Sequence, residues 1–156
     1  MQINLLCVGK LKERFYRDAC AEYQKRMSRY HRLTVTELPD EKPLSGSPDA
    51  IQRVMAKEGD RLLPHLQKGF SIALCVEGEA PDSLALARQL QGYERLGQPV
   101  NFVIGGSWGL DPQVIAASKA RLSLSNLTLP HNLARLVLLE QLYRASKIAA
   151  GETYHK

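Results

Sequence analysis

The sequence predicts an α/β fold, a single domain in which a mostly parallel sheet is flanked by helices. Three observations carry this expectation. Short apolar runs alternate with longer amphipathic stretches along the whole chain. Several of the amphipathic stretches begin with explicit helix-start residues. One apolar run, residues 101–104, stops abruptly at Gly105-Gly106, and paired glycines permit close backbone approaches that a Cβ would block. With 156 residues, 44% of them apolar, the chain can bury one proper core and has no material for two sizeable domains.

The elements follow in order. Residues 3–8 form the first apolar run and predict a strand. Residues 13–30, with aromatic and basic side chains interleaved, predict a helix, and residues 33–38 a second strand. Residues 39–48, PDEKPLSGSP, have the composition of a surface loop. Ser47-Pro48 then supplies a capping hydroxyl and a proline at the first helical position, which predicts a helix over 49–66. Residues 70–76 predict the third strand, and Asp82 caps a helix over 83–96. After the fourth strand at 100–104, Asp111-Pro112 opens a short helix over 112–119. A fifth strand is expected at 121–124 and a last helix over 132–150, stopped by Gly151.

The last helix has an unusually wide apolar arc. Leu136, Leu138, Leu139, Leu142, Tyr143, Ala145 and Ala149 span nearly half its circumference, opposite Glu140, Arg144 and Lys147. Such an arc suits a helix packed on its own sheet and on a second subunit, which predicts a homodimer. A single buried helix is the alternative. Arg135 projects into this arc, where an unpaired guanidinium is costly, so it requires an anion: an RNA phosphate or a nearby carboxylate.

Composition bounds function more weakly. The 21 basic and 16 acidic residues give a net charge of +5, which suits a polyanionic partner without demanding one. The basic and aromatic residues of the first helix fit RNA, and a solvated helix face equally. Cys7, Cys20 and Cys75 are odd in number and lack metal-site spacing; they are expected to be reduced core residues of a cytoplasmic protein. Residues 3–8 are too short for a signal core, and no run is long enough to cross a bilayer. The four histidines show no ligand spacing, so no metal is expected.

The two most informative segments are NFVIGGSWGL, from Asn101, and LSNLTLPHNLAR, from Leu124. The first is a strand ending in glycines, and the second a polar turn entering an apolar helix, which offers backbone amides to a small molecule. The glycines spell GGxxG after a late strand, unlike the GxGxxG of dinucleotide folds, and no P-loop spacing occurs. By themselves Gly105 and Gly106 also fit a tight turn, and Leu74, Leu127 and Leu129 ordinary core packing. The tail GETYHK reads as a fraying terminus on position alone.

GGSWGL, LSNLTLPHNLAR, LYRA and the terminal YHK occur in this order in one family, and over its whole length the chain resembles the RlmH family of SPOUT-class methyltransferases. The resemblance implies a trefoil-knotted homodimer that uses S-adenosyl-L-methionine to methylate N3 of a pseudouridine in 23S ribosomal RNA, on the assembled ribosome. It implies a cofactor pocket drawing on Leu74, Gly105, Gly106, Leu124, Ser125, Asn126, Leu127, Thr128 and Leu129. Tyr154, His155 and Arg144 become the catalytic candidates, with His155 as base and the tail acting across the dimer. His131, Arg135, Tyr143 and Lys156 are the candidates for RNA contact. Trp108 replaces a smaller or polar residue, and it either covers the pocket or stacks on RNA. The alternatives are a SPOUT-like methyltransferase of another RNA nucleoside and a non-catalytic ribosome-binding α/β module.

Overall fold

The computed structural model describes residues 1–156. The elements, in chain order, are β1 (Gln2–Val8), α1 (Arg14–Met27), β2 (Arg32–Leu38), α2 (Pro48–Leu66), β3 (Phe70–Glu79), α3 (Ser83–Glu94), β4 (Val100–Ile104), α4 (Pro112–Ala117), β5 (Ala120–Leu122) and α5 (His131–Ala149). All five strands are parallel and lie in the order β2-β1-β4-β3-β5.

A parallel sheet must be covered on both faces, and the alternation along each strand shows how this one is. Ile3, Leu5, Cys7, Ile72, Phe102 and Ile104 belong to one buried cluster, with Cys20 and Met27 of α1, Leu86 and Leu90 of α3, and Leu138, Leu139 and Leu142 of α5. The intervening side chains Leu6, Val8, Ala73 and Val103 belong to the other, with Leu62 and Leu66 of α2 and Val114 of α4. The result is three layers, with α1, α5 and α3 on one face and α2 and α4 on the other.

The three helix starts read from sequence are built as expected. Ser47 accepts from the Ala50 amide at 3.2 Å, Asp82 from Ala85 at 2.7 Å and Asp111 from Gln113 at 2.8 Å. Each satisfies an amide that the helix leaves without a carbonyl. Helix ends are where the expectation overran: α1 stops at Met27, α3 at Glu94 and α4 at Ala117. Apolar side chains follow the first two stops, at Tyr30 and Leu96, but the backbone closes into turns there: Tyr30 and His31 both donate to the Met27 carbonyl, and Leu96 donates to Tyr93. β3 runs three residues beyond its predicted end at Val76, because its polar end, Glu77-Gly78-Glu79, pairs with β5 through a register shift.

On α5, Leu138, Leu139, Leu142 and Ala145 are buried as projected, but Ala149 is exposed. Ser146 is buried instead, its hydroxyl donating to the Leu142 carbonyl at 2.8 Å and meeting His31 Nε2 at 3.1 Å. Cys7 and Cys20 are core thiols; Cys75 is only half-buried and is not a core residue. No helix is long and apolar enough to cross a membrane.

Candidate active site

Ligands of open α/β sheets bind outside the carboxyl ends of the strands, and that edge carries the cleft, the glycine turn after β4 and the start of α5. At the ends of β3 and β5 lies a cleft of about 110 Å³ lined by Leu74, Cys75, Val76, Leu122, Ser123, Leu124, Ser125, Leu127, Leu129 and Ala134. No charged side chain lines it. Burial pushes the Cys75 thiol pKa upward, which keeps it protonated and apolar in character. Leu127 is 75% exposed and Val76 is exposed beside it, so the rim presents uncovered apolar surface.

The cleft owes its shape to a glycine and two serines. A Cβ at Gly78 would lie 2.5 Å from the Leu122 carbonyl carbon and 2.7 Å from the Leu122 nitrogen, so only glycine lets β3 close against β5. Ser123 donates its hydroxyl to the Ser125 carbonyl at 3.0 Å, and Ser125 Oγ accepts from the Leu127 amide at 2.9 Å. These bonds turn the polar segment back on itself, as Ser-rich turns do. Of the residues expected in a cofactor pocket, Leu74, Leu124, Ser125, Leu127 and Leu129 meet in the cleft, while Asn126 and Thr128 stand in its loop without lining it.

Gly105 and Gly106 lie one strand away, at the end of β4, and are buried. Gly105 packs so tightly that a Cβ would fall 2.5 Å from the Gly109 backbone; Gly109 has φ +86° and donates to the Gly106 carbonyl at 3.1 Å. This compact turn holds Ser107 and Trp108 at its tip. Trp108 is 45% exposed and does not line the cleft.

Beneath Gly106 sits a residue the sequence reading missed. Glu58 of α2 is buried, its Oε1 accepts from the Glu41 amide at 3.0 Å, and its Oε2 has no partner. A Cβ on Gly106 would meet that oxygen at 3.0 Å. Burial raises the Glu58 pKa and favours its neutral form. Its four-residue spacing with Val54, Leu62 and Leu66 was the available signal, since it puts a carboxyl on the buried face of α2.

α5 begins between the cleft and a cationic groove, with Ala134 lining the first and Arg135 the second. Arg135 is 3% exposed, donates to Glu37 at 2.5 Å and to the Gly9 carbonyl at 2.9 Å. The anion it meets in the fold is therefore the Glu37 carboxylate, at the wall of that groove. His131, the first residue of α5, is half-buried, and burial, then the Arg135 charge, lowers its pKa.

The tail is docked against α5. Gly151, at φ +68°, donates to the Ile148 carbonyl and the Glu152 amide donates to Lys147, both at 3.0 Å, closing α5 in a Schellman motif. The Tyr154 hydroxyl then donates to Glu140 at 3.1 Å, and its ring meets Tyr143 edge-on at 5.0 Å. The Arg144 guanidinium lies over that ring at 4.8 Å, bonded to Glu140 at 2.6 Å and 3.4 Å from His155 Nδ1. Burial, with the Glu140 carboxylate that its hydroxyl meets, pushes the Tyr154 pKa up to about 12, so its hydroxyl stays protonated. Tyr143 is half-buried and packs against Tyr23, Tyr30 and Tyr154, so it supports the tail. None of Tyr154, His155 and Lys156 lines the cleft of its own chain. No group of three or more His, Cys, Asp or Glu side chains could hold a metal ion.

The chain matches the protein family described as "Predicted SPOUT methyltransferase" over residues 1–155. It is 46% identical, over the full length of both chains, to the ribosomal RNA large subunit methyltransferase H of Bifidobacterium animalis subsp. lactis, and 47% identical to that of Streptococcus equi subsp. zooepidemicus, again over both full lengths. Among solved structures, a tRNA (m1G37) methyltransferase from Aquifex aeolicus superposes with a TM-score of 0.55 at 15% identity, covering 100% of this chain and 74% of that one. TrmJ from Z. mobilis gives 0.55 at 14%, covering 100% and 72%. These two likenesses concern the fold alone. The parallel sheet, the apolar cleft at its carboxyl edge and the full-length identity lead to one conclusion: the chain belongs to the SPOUT methyltransferase family, among the ribosomal RNA large subunit methyltransferase H proteins.

Proposed function

We propose that this protein is a homodimeric, S-adenosyl-L-methionine-dependent methyltransferase of the N3 position of a pseudouridine in 23S ribosomal RNA, acting in the cytoplasm on the assembled ribosome. The observation that carries this reading is the uncharged cleft at the ends of β3 and β5, in a chain that shares 45–47% of its residues with proteins named for ribosomal RNA methylation. Adenine is flat and apolar with a hydrogen-bonding edge. Leucine side chains and main-chain groups hold such a ring without help from charge, so the residues fit the cofactor. Leu74, Leu124, Leu127 and Leu129 would enclose it, with Ser125, Asn126 and Thr128 in the loop. Gly105 and Gly106 would border it, and their missing side chains allow close backbone approach.

When bound, the cofactor supplies a methyl group already activated on a positively charged sulfur. The protein's work is then to align that group with the nucleophile and to exclude water. A cleft of about 110 Å³ is well below the roughly 300–1,000 Å³ of small-molecule sites. The apolar rim at Val76 and Leu127 fits a cover supplied by a second copy, whose tail would bring Tyr154, His155 and Lys156 to the cleft.

The N3 proton must leave before or as the methyl group arrives. His155 is assigned as its acceptor. Where the Arg144 guanidinium donates to Nδ1, a neutral imidazole carries its proton on Nε2, so the contact must open for His155 to act as a base. Arg144 and Lys156 supply the positive field that favours the N3 anion, and Tyr154 orients the base. His131 remains a candidate contact to the RNA. The knot implied by the family resemblance belongs to this same reading.

The test is incubation with methyl-labelled cofactor and ribosomes lacking the modification, followed by digestion of the RNA. Label in N3-methylpseudouridine is expected. Label in another nucleoside would establish the broader methyltransferase and overturn the substrate assignment, and full single-turnover methylation by His155→Ala would remove the base role.

A further inference from the structure

The seven residues after α5 are terminal and end in the polar run Glu152–Lys156, yet they are tied to two helices at a point that precedes the proposed active-site residues. Glu152 is that point. The Schellman closure fixes its backbone, and its side chain faces three donors. Tyr30, just beyond α1, donates its hydroxyl to Oε1 at 3.0 Å; Arg29 lies 3.8 Å from the same oxygen; Lys147 of α5 bonds Oε2. The Lys147 and Tyr30 hydrogen bonds hold the Glu152 carboxyl below the usual carboxylate range. The Tyr30 ring also packs against Tyr143 at 6.1 Å, and Tyr143 packs against Tyr154 at 5.0 Å. One continuous set of contacts therefore runs from the end of α1, through Glu152, to the tyrosine and histidine of the tail.

We propose that Tyr30 and Glu152 are positioning residues for methyl transfer: their hydrogen bond clamps the start of the tail between α1 and α5, and so presents Tyr154, His155 and Lys156 in one preassembled arrangement. Neither residue need touch the substrate. Glu152 has no reach to the cleft of its own chain, and Tyr30 is half-buried against α5. A terminus without such a clamp samples many conformations and presents the same groups only a fraction of the time. The proposal rests on the reading that the tail belongs to the active site.

The test uses the full-length protein with Tyr30→Phe, which removes one hydroxyl, and with Glu152→Ala and Glu152→Gln. Three quantities are measured: kcat and KM for ribosome methylation, cofactor affinity by calorimetry, and tail order from the heteronuclear NOE of the His155 and Lys156 amides. Tyr30→Phe and Glu152→Ala are expected to free the tail and lower kcat by about tenfold, with cofactor affinity unchanged. Glu152→Gln, which keeps an acceptor for Tyr30, is expected to recover part of the loss. A tail that stays ordered in both Tyr30→Phe and Glu152→Ala would overturn the clamp. A chain ending at Thr153 separates the two readings. If it methylates at full rate, the tail is not part of the active site and the proposal falls with that reading. If it is inactive while Glu152→Ala, with its tail freed, keeps the full kcat, the positioning role alone is wrong.

Discussion

Arg135 occupies a position on α5 that helical projection assigns to apolar side chains, and the structure accounts for it with one carboxylate and one carbonyl. Its ion pair with Glu37 joins the start of α5 to the end of β2, and its bond to Gly9 reaches the end of β1. Sequence shows that the cation needs an anion; it does not show which, because Glu37 is 98 residues away along the chain. Arg135→Ala is expected to lower the unfolding free energy by roughly 2–3 kcal/mol, less than for a fully buried pair because Glu37 retains some solvent. Urea denaturation at fixed protein concentration checks this, and a change under 0.5 kcal/mol would mean that the pair is solvated. Glu58 teaches the same lesson with the opposite sign, since periodicity places it on the buried face while only the fold sets its carboxyl beneath Gly106.

At the scale of elements, β3 and β5 make the cleft. Their junction depends on Gly78, where any Cβ collides with the Leu122 backbone. Gly78→Ala must therefore push β5 and the turn after it outward, and overpacking of this kind typically costs about 1–3 kcal/mol. Cofactor affinity is expected to fall by about tenfold or more in calorimetry. Gly92, inside α3 with open space around its position, is the control. Gly92→Ala should raise stability slightly and leave affinity unchanged. The residues 77–79 read as loop because charge and glycine disfavour strands. Pairing with a partner over forty residues further on overrides that local preference.

The whole molecule has two features that are testable without substrate. Exposed Val76 and Leu127 at the cleft rim and exposed Phe15 on α1 leave apolar surface that a second copy would cover. Sedimentation should give twice the 17.4 kDa chain mass at micromolar concentration, and a monomer there would remove both the dimer and the cross-subunit tail. The second feature is a pH dependence. His31 joins the amino terminus to Ser146 of α5, His131 starts α5, and burial lowers the pKa of both in the folded state. The unfolded chain then binds more protons, so stability is full above the ordinary histidine pKa of about 6.5 and is lost as pH falls through the lowered folded values. Glu58, raised by burial, acts in the opposite sense: its contribution is full below its ordinary value and is lost as pH rises. His31→Gln should flatten the slope below pH 6.5 by the histidine share alone, and an unchanged slope would show that His31 does not contribute.

The α/β class, the existence of all ten elements, the three side-chain helix caps and the polar turn that forms one side of the cleft are legible in the amino-acid sequence. Each of these is written in short-range terms: an apolar period of two or 3.6, a capping side chain beside its amide, a serine turn, a glycine where a Cβ has no room. Strand order, the anion beside Arg135, the seat of the Glu58 carboxyl beneath Gly106 and the docking of the tail on α1 and α5 come instead from tertiary contacts. Glu58 and Gly106, Glu37 and Arg135, and Tyr30 and Glu152 are separated by 48 to 122 positions, and the pairs β1/β4 and β3/β5 are not consecutive in the chain. The reason is physical: local propensity acts within a turn or two, whereas the choice of partner is made by what can be buried, paired and desolvated together once the layers close.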